Sequence, residues 1–178
     1  MWLQKGTDFL IKLNRPLVVF VKHVALWLLA IMMFLTFIDV LLRYIFNSPV
    51  PGAAELIEFM MAIVVTFSVA YTAHKKSHIG VDLVIMHFSE RTKKRINCIT
   101  SFLALILFVL ICWQAFLLMA EEYHSKIISA VLYIPVYPFI AAVAVGFVIL
   151  CLVLLAEFLS LLGEVISEWT RLQSDSSV

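Results

Sequence analysis

An all-α integral membrane protein with four transmembrane helices is the fold class this sequence predicts, and three observations carry it. Of the 178 residues, 63% are hydrophobic and 14% charged, with a mean hydropathy of +1.05; a soluble domain is roughly 45–50% apolar and about 25% charged. The apolar residues gather into four segments, about 20–46, 55–74, 96–120 and 137–160, each near the ~20 residues that a spanning helix needs. Lysine and arginine divide unevenly between the connections. The spans use most of the chain, so residues 1–178 read as one membrane domain with no room for a soluble catalytic domain. The net charge of +1 gives no bulk basicity for binding nucleic acid.

Residues 1–17 come first. Placed at 100° per residue, Trp2, Leu3, Phe9, Leu10, Leu13 and Leu17 share one face and Lys5, Asp8, Lys12 and Arg15 the other. A basic amphipathic helix of this kind lies in the membrane surface with its apolar side down. It does not fit a cleaved signal peptide, because the apolar stretch from Val24 runs on to Phe46, beyond the roughly 7–15 residues of a signal core.

The first span ends in Asp39-Val40-Leu41-Leu42-Arg43, and the second opens with Glu55 and Glu58. Between them, Pro49 and Pro51 lack the amide donor and push their predecessors toward extended geometry, so the two spans form a helical hairpin. Span two is the shortest and reaches a spanning length only by including Glu58, Thr66, Ser68 and Thr72. Without it the chain would cross an odd number of times, which the loop charges contradict. Lys5, Lys12, Arg15 and Lys22 precede span one, and Lys75, Lys76, Arg91, Lys93, Lys94 and Arg95 separate spans two and three. On the opposite side Lys126 joins Arg43, against Glu55, Glu121 and Glu122. The positive-inside rule therefore places both termini and the middle loop in the cytoplasm. That loop carries an apolar patch from Ile79 to Phe88, too short to span and suited to the interface. In the third connection Pro135 and Pro138 break the helix, and Tyr133 and Tyr137 suit the aromatic belt. Beyond span four, residues 161–178 form an amphipathic cytoplasmic tail that continues a stripe of Glu157, Glu164, Glu168 and Arg171, with Phe158, Leu162, Val165, Ile166 and Trp169 covering the rest.

Charge at the ends of spans needs a reason, since an ionised side chain in hydrocarbon costs roughly 2.5–3.5 kcal/mol or more. Asp39 and Arg43 are four apart and Glu55 and Glu58 three apart, so each pair projects from one helix face. Two roles fit: a proton or ion relay, and a charge cluster that locks the hairpin and docks another subunit. The second is favoured, because ion pathways place their carboxylates near the midplane on broken helices. Gln114, near the centre of span three, is expected to hydrogen-bond another helix.

Other chemistry finds little support. His23, His74, His78, His87 and His124 all fall at helix ends or in loops, where they cannot face one another as haem ligands. His74 and His78 are four apart but have no nearby carboxylate before Asp82. Cys98, Cys112 and Cys151 lie within apolar segments and read as free, packed thiols. No Walker, HExxH or GxSxG pattern occurs. The expectation is no enzyme, no cofactor and no metal. A haem- or quinone-binding electron-transfer subunit is the alternative, and a stand-alone carrier a further one.

Three stretches in order, DVLLRYIFNSPVPGAAELIEF at 39–59, AHKKSHIGVDLV at 73–84 and IPVYPF at 134–139, together resemble the small, DctQ-like membrane subunit of tripartite ATP-independent periplasmic (TRAP) transporters. Asp39 and Arg43 match the family's D-x-x-x-R, Glu55 its acid opening the second span, and His78, Val81 and Asp82 its H-I-x-V-D. Ser77 stands where the family often has an acid, and Tyr137 where it has tryptophan. The resemblance implies a bacterial inner-membrane scaffold that braces a large elevator-type subunit. A periplasmic protein would deliver an organic acid, a C4-dicarboxylate or sialic acid, and sodium coupling would reside in the large subunit. The implied contacts are that subunit, the binding protein and membrane lipids.

Overall fold

The computed structural model describes residues 2–76 and 90–175. Four helices account for nearly all of them: α1 (Trp2–Phe46), α2 (Ala53–Lys76), α3 (Glu90–Ser125) and α4 (Tyr137–Asp175). Among the described residues there is no strand, only an isolated antiparallel bridge between Ile128 and Pro135. The stretches Asn14–Phe46, Ala53–Lys75, Ile96–Ser125 and Tyr137–Gly163 are long and apolar enough to cross a bilayer, so the chain is an all-α membrane protein. The apolar patch 79–88 and the motif residues His78, Val81 and Asp82 lie outside the described residues.

Two pairs of expected elements are each a single helix. Residues 1–17 and span one join in α1, which continues through Pro16. Pro16 removes one intrahelical bond, to the carbonyl of Lys12, without ending the helix. Span four and the tail join in α4 up to Asp175.

The helices pack in an open order. α4 is central, packing against α1, α2 and α3, and α3 makes its main contact with α4. Val18, Val21 and Ala25 of α1, Ile63, Phe67 and Ala70 of α2, and Ile149, Leu150, Val153 and Leu154 of α4 form the core. Gly146 makes the closest part of this contact possible, since a Cβ there would lie 2.7 Å from Thr66 Cγ2 and 2.9 Å from Phe67 Cδ1. Small residues serve this purpose wherever membrane helices approach closely. Asn14 is buried, and its Nδ2 donates to the Leu152 carbonyl at 3.0 Å, fastening the early turns of α1 to α4. The hydroxyls of Thr36, Thr66 and Thr72 each donate to the carbonyl four residues back, which satisfies them inside an apolar helix.

The outer surface is what a bilayer or a protein partner would cover. Only 6% of the α3 span and 11% of the α1 span are buried, and Trp27, Met33, Phe34 and Trp113 are among the exposed side chains. Apolar exposure on this scale is far beyond what a water-soluble monomer presents.

Candidate functional site

At one end of the bundle the two hairpins meet in a polar corner built from three backbone turns. Asn47 adopts φ 51° and ends α1, with the Ser48 amide donating to the Leu42 carbonyl at 3.4 Å. Left-handed geometry is rare for side-chain-bearing residues but tolerated by asparagine, which suits it to a helix end. Asp39 then ties the turn to the helix it leaves. Its Oδ1 accepts from the Val50 amide at 2.8 Å and its Oδ2 from Arg43 Nη2 at 3.0 Å. The Asp39 side chain is 13% exposed and that of Arg43 65%, so the carboxylate is structural while the guanidinium reaches outward. An exposed ion pair of this kind contributes only about 0–1 kcal/mol.

α2 begins after a turn in which the Ala53 amide donates to the Val50 carbonyl and the Leu56 amide to that of Gly52. Gly52 has φ +75°, and a Cβ on it would lie 2.4 Å from Leu132 Cγ. Leu132 belongs to the distant connection between α3 and α4. That connection folds back as a small hairpin, with the Ser129 amide donating to the Ile134 carbonyl at 2.8 Å and left-handed Lys126 and Tyr133 at its bends.

Glu55 holds the tip of this hairpin. Its Oε1 accepts from the Ala130 amide at 3.0 Å, and its Oε2 from those of Val131 and Leu132 at 3.3 and 3.1 Å. The buried Ser129 hydroxyl also bonds the carboxylate and accepts from the Leu132 amide at 3.2 Å. Successive backbone N–H groups converging on one anion form a nest, and a carboxylate is the group such a nest selects. The same region is stapled by rings: Phe59 stacks on Phe139 at 4.6 Å between centroids, and Tyr123 meets Tyr137 edge-on at 5.4 Å.

The predicted residues thus separate into two fixings. Asp39 with Arg43 secures the first turn, and Glu55 secures the second hairpin to the first. Glu58 is exposed one turn further along α2 and joins neither fixing. Ser129 and the amides of Ala130–Leu132 escaped the sequence reading, because a pairing across 75 residues leaves no periodic signal. Gln114 departs from its expected hydrogen bond. Among the described residues its side chain meets no polar partner, and it opens onto an apolar groove of about 440 Å³ bounded by Phe59, Ala62, Phe139 and Val143. The described residues that line this groove with it, from α2, α3, α4 and Val136 just before α4, are all apolar.

Neutralising Glu55 is expected to free the hairpin tip. In Glu55→Ala the Ala130 and Val131 amides lose their acceptor and the Leu132 amide keeps only Ser129 Oγ, and trypsin should cut after exposed Lys126 markedly faster than in the unaltered protein or in Glu58→Ala. Equal cleavage in all three would show that the carboxylate does not restrain the connection.

The described histidines stay apart. His23 bonds the Val19 carbonyl through Nδ1, and His124 is exposed at the end of α3. Among the described residues no three His, Cys, Asp or Glu side chains gather as metal ligands.

Comparison with known proteins adds two findings. The family model for the DctQ component of tripartite ATP-independent periplasmic transporters matches residues 32–164. A Haemophilus influenzae protein, provisionally named a TRAP transporter small permease protein, is 26% identical over 123 residues, covering 69% of this chain and 74% of that one. No solved structure matches the chain.

Proposed function

The chain belongs to the DctQ component family of tripartite ATP-independent periplasmic transporters, and from that membership we propose that it is the small scaffold subunit of a sodium-coupled importer of an organic acid. It braces a large elevator-type subunit in the bacterial inner membrane. The solute, of the C4-dicarboxylate or sialic acid class, arrives on a periplasmic binding protein. Sodium and solute sites reside in the large subunit.

The observation that carries the scaffold role is the contrast between a fastened corner and unburied spans. The corner spends its charges on fixing turns, through Asp39 to Val50 and Glu55 to Ala130–Leu132. Few residues of the α1 and α3 spans are buried within the chain, which leaves side chains such as Trp27, Phe34 and Trp113 for a neighbour or for lipid. The spans are also continuous helices, whereas transporters that bind solute at the midplane do so on broken ones. The basic residues before α1 and between α2 and α3 support cytoplasmic placement of both termini. The basic amphipathic face of the first turns of α1 supports their placement at the inner membrane surface.

The test is affinity isolation of this chain from its native membrane in mild detergent, with mass spectrometry of what accompanies it. A much larger polytopic protein in stoichiometric amount is the expected result; recovery of this chain alone, or with haem proteins, overturns the reading. Arg43→Ala sharpens the test. Asp39 keeps its bond to the Val50 amide in this variant, so the fold should persist while the outward guanidinium is lost. Recovery of the partner should fall several-fold before solute affinity changes. Undiminished recovery would remove Arg43 from the interface.

A further inference from the structure

At the end of the bundle opposite the polar corner, two lysines converge on one ring. α1 and α2 run antiparallel from the turn at Pro49–Gly52, which brings Lys22 level with the end of α2. Lys22 Nζ lies 5.5 Å from the centroid of the Tyr71 ring, and Lys75 Nζ 5.6 Å from the same centroid. Tyr71 packs against the core that Val18, Val21 and Ala70 help to form, which holds the ring in place. Lys22 follows buried Val21 on α1 and is half-buried itself, whereas Lys75 is exposed. Lys75 also closes the apolar stretch Ala53–Lys75, so the pair sits at a membrane boundary.

Two ammonium groups around one ring call for an anion. A π face attracts an ammonium but carries no net charge, and it leaves N–H donors of each lysine free to point elsewhere. Among the described residues no acid lies within ion-pair distance of either lysine; the ion pair found there joins Arg43 to Asp39 at the other end of the bundle. The two like charges repel, and the half-burial of Lys22 strengthens that repulsion by removing water from one side. The acceptor that suits them is compact and anionic, with an oxygen to offer each ammonium. A phosphate has that chemistry, whether free or in a phospholipid headgroup. The boundary position favours the lipid, which the bilayer itself supplies there, and basic sites between transmembrane helices bind such headgroups. A net-negative headgroup is favoured over a zwitterionic one, because an ethanolamine or choline cation would bring a third positive charge to the site.

We propose that Lys22, Tyr71 and Lys75, on the seam between α1 and α2, form a binding site for the phosphate of an anionic phospholipid, with one phosphate oxygen accepting from each ammonium. The acyl chains then run over exposed Leu26, one turn inward from Lys22 on the same face of α1. The inference requires only that α1 and α2 span the bilayer. It is independent of which side is cytoplasmic and of what the large partner carries.

The experiment is lipid competition on the purified full-length chain. Delipidated protein is reconstituted into nanodiscs holding equal amounts of phosphatidylglycerol and phosphatidylcholine with identical acyl chains, and the lipid it retains on ejection into detergent is counted by native mass spectrometry. About one phosphatidylglycerol should stay with each chain, at least roughly tenfold over phosphatidylcholine, a ratio equivalent to about 1.4 kcal/mol. Lys22→Gln and Lys75→Gln should each lower that ratio about fivefold, the equivalent of the ~1 kcal/mol that one cation contributes near an anionic surface. Lys94→Gln removes a cation from the basic first turns of α3 and should leave the ratio unchanged. An equal fall in Lys94→Gln would mean diffuse attraction to the basic end of the molecule instead of a site, and would overturn the proposal. Equal retention of the two lipids by the unaltered protein would overturn it as well, whether or not any variant folds. Release of the bound phosphatidylglycerol by millimolar inorganic phosphate would assign the site to the free anion and overturn the lipid.

Discussion

Gly52→Val is expected to destabilise the protein by at least ~2 kcal/mol. Two independent effects add there. The φ of +75° is one that a β-branched residue adopts only under strain, which costs roughly 1–3 kcal/mol. The new Cβ would also press on Leu132, whose Cγ and Cδ2 lie 2.4 and 2.5 Å from its position. Leu132 has little freedom to retreat, because its amide is bound by Glu55 at 3.1 Å. The two effects separate experimentally. Leu132→Ala in the Gly52→Val background should recover the steric part of the loss and leave the backbone part. If thermal melting of Gly52→Val in detergent matches that of the unaltered protein, the α3–α4 connection does not rest on the first turn.

Gly146→Leu is expected to have the second large effect, on the contact between α2 and α4. The first side-chain atom alone would meet Thr66 and Phe67 at 2.7–3.0 Å, and the rest of a leucine has nowhere to go without separating the helices. Overpacking of this kind costs about 1–3 kcal/mol. The cost falls at the upper end here, since Phe67 is itself packed into the core with Leu150 and Ile149. Gly146→Ala should lie between leucine and glycine, and the grading is the diagnostic. Gly163 provides the control: nothing lies within 4 Å of a Cβ there, so Gly163→Ala should be neutral or slightly stabilising by removing backbone freedom. A Gly146→Leu protein that melts no lower than Gly163→Ala would mean that the helices are not in close contact at this level.

How much of this was legible in the sequence follows from the range of each interaction. The hairpin turn at Pro49–Gly52 and the Asp39–Arg43 pair are local, fixed by prolines and by four-residue spacing, and both stand where that chemistry puts them. The four spans were legible because burial in lipid demands length and apolarity from each segment by itself. What escaped was relational. Glu55 was visible as an acid at a helix start, but its partners are amides, which every residue possesses, so no side-chain pattern announced the nest at Ala130–Leu132. Asn14 lies among residues whose periodicity suggested a surface helix, yet it is buried against Leu152. Gln114 shows the reverse failure. Its polarity called for a partner, and the described residues around it are apolar.

The clip at Glu55 also sets how the molecule answers force. Besides the packing of α1 and α2 on α4, the two hairpins are joined at one end of the bundle by the Glu55 carboxylate on a three-amide tip and by Leu132 against Gly52. A neighbour sliding past α3 would therefore load a lever about 36 residues long, or roughly 54 Å at 1.5 Å per residue. Its pivot is the Glu55 nest. Displacement would be resisted most beside that pivot, where the nest adds to the α3–α4 seam, and less toward the opposite membrane boundary, where that seam acts alone.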